Sequence, residues 1–197
     1  MTHTLHRQGT AESLANDYLV MALPGVLSPD IREKMEKFYQ ICMKYEPVNY
    51  KSSVSWRIYV FDDKKKVDNI LKELTDAQLG ISIVVSGLYD KVHDCCHGAG
   101  IEPHTINYSL GFWGDTGKLP QKNIFELTTM CGHSLIPPNL VWDMAGRVSK
   151  GFPVADASEK IAKCCLCDIF NTKRGGTLLE QIAEDIKSGR LTPPQAP

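Results

Sequence analysis

Ten of the thirteen cysteine and histidine side chains fall between His93 and Lys173, less than half of the 197 residues. Thiolates and imidazoles are soft to borderline metal ligands, and cysteines also serve as redox thiols and nucleophiles. Their crowding points to a metal or thiol centre in the C-terminal half. Cys131-Gly132-His133 is the first group. A Cys-x-His step is hard to use from inside a helix, but Gly132 is a natural helix stop and Pro137 and Pro138 follow, so the thiolate and imidazole can converge in a tight loop. The second group is Cys164-Cys165-Leu166-Cys167. In a continuing helix Cys165 would join the stripe of Val154, Ala157 and Ile161 while Cys167 pointed away. The turn formers Asn171, Gly175 and Gly176 predict that the helix ends instead. Cys131, His133, Cys165 and Cys167 then make a three-thiolate, one-imidazole set suited to zinc. Cys131 with Cys164, Cys165 and Cys167 makes an all-thiolate set suited to an iron-sulfur cluster. Neither spacing is a standard signature, and the competing reading is two helix ends with buried thiols and a solvated imidazole.

The run HDCCH at 93 to 97 resembles a chelate only on paper. Leu88, Val92, Cys95, Cys96 and Ala99 form the apolar stripe of a helix, which turns both cysteines into the core. Cys42 lies on a similar stripe with Ile31, Met35, Phe38 and Tyr45, so all three are expected to be plain buried thiols. His93 and His97, four apart, project on the far side near Asp90, as a solvated face or an i, i+4 surface metal pair.

Acid-base and anion chemistry has fewer candidates. His104 and Asp115 are the expected proton carriers, and His3 and His6 are placed to close over a site on a docked N-terminal arm. Ser86 and Gly87, between a strand and a helix, could hold a phosphate or carboxylate on free backbone N-H groups; no GxGxxG or Walker lysine accompanies them. Arg174 beside Gly175 and Gly176 is a further anion-binding candidate, set against a capping, solvated role. A small-molecule site is expected where Ser86-Gly87, the Gly111 to Gly117 loop and the His104 region meet the cysteine-bearing helices.

These groups need a scaffold, and the hydrophobic periodicity supplies one. Tyr18 to Leu23 reads as a buried strand closed by Pro24 and Gly25, and Val54 to Val60 as a strand nearer a sheet edge. Ile81 to Val85 reads as a central strand buried on both faces, and Thr105 to Phe112 as a fourth, alternating strand. The intervening helices are capped by Ser28 and by Asp62 or Asp63. Beyond Gly117 the pattern is helical: Pro138 opens one helix, an Asp156/Glu159 capping box a second and a Thr177/Glu180 box a third, before a frayed tail. The prediction is an α/β or α+β fold, a layered sheet of about four strands with covering helices. Residues 1–117 would form the sheet unit with its arm, and residues 118–197 a helical Cys/His-bearing segment packed on it.

Composition narrows the function. The seven cysteines are an odd number, and the opening MTHTLHRQG carries no apolar signal stretch, so a reducing, cytoplasmic setting fits better than an exported one. No window approaches the ~18 apolar residues of a membrane helix. Twenty-two basic residues against 23 acidic ones, without a long block of either, make nucleic acid a poor partner. The reading is a metal-binding protein with a zinc or iron-sulfur centre, acting as an enzyme on a small molecule. Non-catalytic metal storage, delivery or sensing is the alternative, and a metal-free thiol redox protein comes third because CxxC is missing.

Overall fold

The apolar run Tyr18–Leu23 forms β1, and its period of two decides the architecture. Tyr18, Val20 and Ala22 enter one buried cluster while Leu19 and Met21 enter another, so both faces of the sheet are covered. The computed structural model describes residues 6–23, 29–50 and 58–192, apart from the side chains of residues 49 and 50. With β2 (Asn49–Tyr50), β3 (Ile58–Phe61) and β4 (Ser82–Ser86), β1 makes a sheet of order β2-β3-β1-β4 in which every neighbouring pair is antiparallel. A short helix α1 (Ala11–Leu14) precedes it. Helices α2 (Ile31–Met43), α3 (Lys64–Ala77) and α4 (Tyr89–Gly98) pack on the Tyr18 face. Helices α5 (Lys122–Thr129), α6 (Pro138–Val148), α7 (Val154–Ala162) and α8 (Thr172–Lys187) pack on the Leu19 face. The fold is mixed α/β, with the sheet between two helical layers.

Several elements follow from local chemistry. Asp63 caps α3, its Oδ1 accepting from the Lys65 amide at 2.8 Å, and the predicted stripe of Val67, Ile70, Leu71 and Leu74 is buried. Pro138 opens α6, where it has no hydrogen bond to lose, and Val141, Met144 and Val148 face inward. Cys42, Cys95 and Cys96 are buried, as their stripes require. Burial drives the Cys42 thiol pKa upward and pushes that of Cys95 up to about 12, with an Asp68 hydrogen bond adding to the latter.

Other expectations are corrected. Residues 105–112 form no strand: Gly111 turns the chain at φ +81°, and Ile106, Tyr108 and Leu110, up to 82 % exposed, have no layer to bury against. Among the described residues β4 is therefore an edge strand paired only with β1, and its residues are half-buried rather than covered on both faces. β3, read as nearer the edge, lies inside between β2 and β1; all four of its residues are buried, with Tyr59 against Phe38 at 5.6 Å between ring centroids. Helix α2 starts at Ile31 after Asp30. Helix α7 starts at Val154 after Pro153, two residues ahead of the Asp156 cap. Helix α8 starts at Thr172, capped by Asn171 rather than Thr177, because the Asn171 Oδ1 accepts from the Arg174 amide at 2.9 Å. His3, the Pro24-Gly25 turn, the Ser28 cap, residues 53–57 of the second strand and the tail beyond residue 192 lie outside the described residues. Among the described residues no helix is long and apolar enough to cross a membrane.

Candidate functional site

Both cysteine groups leave their helices where glycine and turn residues require. Helix α5 ends at Thr129; Gly132 at φ +72° and Ser134 at φ +54° reverse the chain, so the Leu135 amide donates to Cys131 Sγ at 3.2 Å. Helix α7 ends at Ala162, and the turn beyond it closes with the Asp168 amide donating to the Cys165 carbonyl at 3.1 Å. Cys131 and Cys165, far apart in sequence, are buried in the same core cluster, with Cys164 and Cys167 packed on its margin. Burial raises the Cys165 thiol pKa and the neighbouring Cys131 raises it further, while the backbone N-H groups of Ile169, Phe170 and Cys167 favour the thiolate. Such amide-to-sulfur cradles stabilise sulfur that carries negative charge.

The N-terminal segment fastens the two turns. Arg7 Nε donates to the Met130 carbonyl and Nη2 to the Ile169 carbonyl, both at 2.8 Å. One guanidinium thus joins the residue before Cys131 to the segment just past Cys167. Its Nη1 pairs with Asp17 Oδ1 at 3.1 Å, and the Gln8 amide donates to Thr129 Oγ1 at 3.0 Å. His6 packs edge-on to Phe112, which in turn meets Phe125 of α5. The arm is docked, as expected, and Arg7 carries the docking contacts.

His133 is exposed, and no three ligand atoms among Cys131, His133, Cys165 and Cys167 gather within 4.8 Å of one another. The single-ion tetrahedron is therefore not preassembled. Among the described residues the one set that does gather so closely is His93, His97 and Glu102. Sequence reasoning paired the histidines with Asp90 and missed Glu102. The available signal was Gly98 and Gly100, which end α4 and return the chain toward the histidine face.

A cleft of about 680 Å³ opens along β4, lined by residues 101–109 and by Arg7 and Asp17 among others. Ser86, Gly87 and His104 line it, whereas the Gly111 to Gly117 loop and the late cysteines do not. The cavity thus lies along β4, and none of the late cysteines lines it. His104 is exposed, its Nδ1 2.9 Å from Thr105 Oγ1. Asp115 does not line the cleft and pairs with Lys118 at 3.2 Å. Gly87 is glycine for packing: a Cβ there would meet the Tyr18 ring at 2.9 Å and Val92 at 3.1 Å.

Arg174 is neither solvated nor available to a ligand. It sits in the first turn of α8, buried, with Nη1 on Asp17 Oδ2 at 2.7 Å, Nη2 on Glu126 Oε1 at 2.5 Å and Nε on Ser13 Oγ at 2.9 Å. The Gly175-Gly176 step is helical and forms no anion loop; a Cβ on Gly175 would stand 2.6 Å from the Phe170 ring, so glycine lets α8 pack close. Comparison of the chain with protein-family models, curated proteins and solved structures finds no match in any of the three.

Proposed function

We propose that this chain is a metal-binding protein whose centre is built on the two cysteine turns, with Cys131, Cys165 and Cys167 as thiolate ligands and Cys164 or His133 completing the set. The observation that carries the reading is the burial of Cys131 and Cys165 in one core cluster, where Cys131 acts electrostatically on Cys165 and Arg7 ties the two turns together. The amides aimed at the Cys165 sulfur suit a thiolate, whose charge a metal then balances; buried without a cation, Cys165 keeps its proton. Of the two centres the sequence admits, an iron-sulfur cluster is favoured over a single zinc ion. A cluster spreads its thiolates around several atoms, so they need not gather as tightly as a lone tetrahedral ion demands.

The cleft along β4 favours an enzyme of small-molecule metabolism over a protein that only stores or delivers metal. Apolar side chains with a few polar groups, His104 among them, line a concavity of ligand-binding size. Within it His104 is the proton carrier. The test is metal and acid-labile sulfide analysis of anaerobically purified full-length chain. The wild type and Cys42→Ala should carry iron and sulfide, and Cys131→Ser and Cys165→Ser should have lost most of both. Zinc in place of iron, lost in the same variants, would move the reading to the zinc centre. A metal-free wild type that folds and binds no added iron or zinc would end it.

A further inference from the structure

Helix α4 carries a second group of ligands with no part in the cysteine centre. His93 and His97 stand one turn apart on its outer face, ring centroids 5.1 Å apart, because Cys95 and Cys96 are held in the core on the opposite side. The helix then ends in a turn that returns the chain. The Gly100 amide donates to the His97 carbonyl at 3.0 Å and the Ile101 amide to the Cys96 carbonyl at 3.0 Å, with Gly100 at φ +69°. Ile101 packs onto the same core cluster, which holds the turn in place. Glu102, the next residue, is thereby set with its Oε1 3.5 Å from His97 Nε2. One ligand atom from each of the three residues falls within 4.8 Å of the others.

We infer that His93, His97 and Glu102 form a binding site for a divalent transition-metal ion at the mouth of the β4 cleft. Two imidazoles and one carboxylate suit zinc, cobalt, nickel or ferrous iron better than magnesium or calcium, which favour all-oxygen sites. His93 and Glu102 both line the cleft, as do Tyr89, His104 and Tyr108. Three protein ligands leave coordination positions open, and two of the three, His93 and Glu102, border the cavity. The metal would thus hold an oxygen or nitrogen donor of a small molecule lying along β4. Tyr89 lies between His93 and Tyr108 in tilted ring contacts, with centroids 5.6 Å and 5.2 Å away, and makes an aromatic wall beside them.

Because the chain also has thiolate candidates, the test must tell the sites apart. Cobalt(II) alone is titrated anaerobically into the full-length chain and followed by visible absorption, with calorimetry for stoichiometry. The Cys131→Ser/Cys165→Ser variant should retain one equivalent whose spectrum shows ligand-field bands without intense sulfur-to-cobalt charge transfer. Changes to groups that only orient metal ligands weaken affinity by about 10- to 100-fold. Removing two ligands with His93→Ala/His97→Ala should therefore weaken this equivalent by roughly a hundredfold or more, and Glu102→Gln by less. His97 and Glu102 are exposed and His93 half-buried, so thermal unfolding should be unchanged in these variants. In the Cys131→Ser/Cys165→Ser background, cobalt binding that survives the added double histidine substitution overturns the site, as does absence of the non-thiolate equivalent once the two cysteines alone are replaced. Failure of the cysteine centre itself would leave the histidine-dependent equivalent intact.

Discussion

At the residue scale the molecule turns on two buried arginines that share one aspartate. Asp17 accepts from Arg7, Arg174 and Asn171, and Arg174 also holds Glu126, so the N-terminal arm, the start of β1, α5 and α8 meet in one charge network. Removing one partner from such a network strands the others in low dielectric, at about 3–5 kcal/mol. Arg174→Ala should therefore lower the denaturation midpoint by that equivalent, and a change under about 1 kcal/mol in chemical unfolding would contradict the assignment. Arg7→Ala removes fewer contacts and acts elsewhere. By freeing the Met130 and Ile169 carbonyls it should reduce metal content more than it reduces helicity by circular dichroism. A variant with wild-type metal content would show that the two turns hold themselves together.

At the scale of elements the structure separates two helical glycines that look alike in the sequence. In α8 a Cβ on Gly175 would meet Phe170 at 2.6 Å and the Ser158 Oγ at 2.9 Å, whereas a Cβ on Gly146 in α6 meets nothing within 4 Å. Overpacking costs about 1–3 kcal/mol and outweighs the ~1 kcal/mol that alanine gains in a helix. Gly175→Ala should destabilise the protein and Gly146→Ala should stabilise it by about 0.5–1 kcal/mol; thermal unfolding that moves both in the same direction would contradict this packing. The buried thiols predict an alkaline limit. The folded Cys95 keeps its proton to about 12, whereas the unfolded chain releases it near the ordinary 9.0. Its stabilising contribution is complete below pH 9 and fades as pH rises toward 12. Melting temperature should fall less over that window in Cys95→Ala than in the wild type.

The same elements show what the sequence could and could not display. Continuous runs and helical stripes were legible: Tyr18–Leu23, Val67 to Leu74 and the buried Cys42, Cys95 and Cys96 stand as periodicity requires. The departure of both cysteine groups from their helices was legible from Gly132 and from the turn formers after Cys167. Alternation at 105–112 misled because period two describes a strand only when a neighbour supplies the ladder and a layer covers one face. Arg174, Gly175 and Gly176 misled because a buried Asn171 cap and the close Phe170 ring make a helix start of residues whose local preference is a turn. Glu102 escaped notice because its closeness to His97 is made by a turn and not by helical spacing.

At the scale of the whole molecule, one sheet separates two chemistries. The cysteine turns belong to the helical layer on the Leu19 face, while the His93, His97 and Glu102 group stands with α4 on the other side, at the mouth of the β4 cleft. Arg7 joins the parts, since it bonds both turn carbonyls and also lines the cleft. A ligand in the cleft that shifts Arg7 would therefore be felt at the cysteine turns. The central claim is that those turns hold a metal through thiolates, and the most direct measurement is the visible absorption of anaerobically purified full-length protein, compared with Cys131→Ser/Cys165→Ser. The account predicts broad sulfur-to-iron charge-transfer absorption in the wild type that bleaches on reduction and is absent from the double variant. A colourless wild type that stays colourless after anaerobic reconstitution with iron and sulfide, or a colour that persists in the double variant, would contradict it.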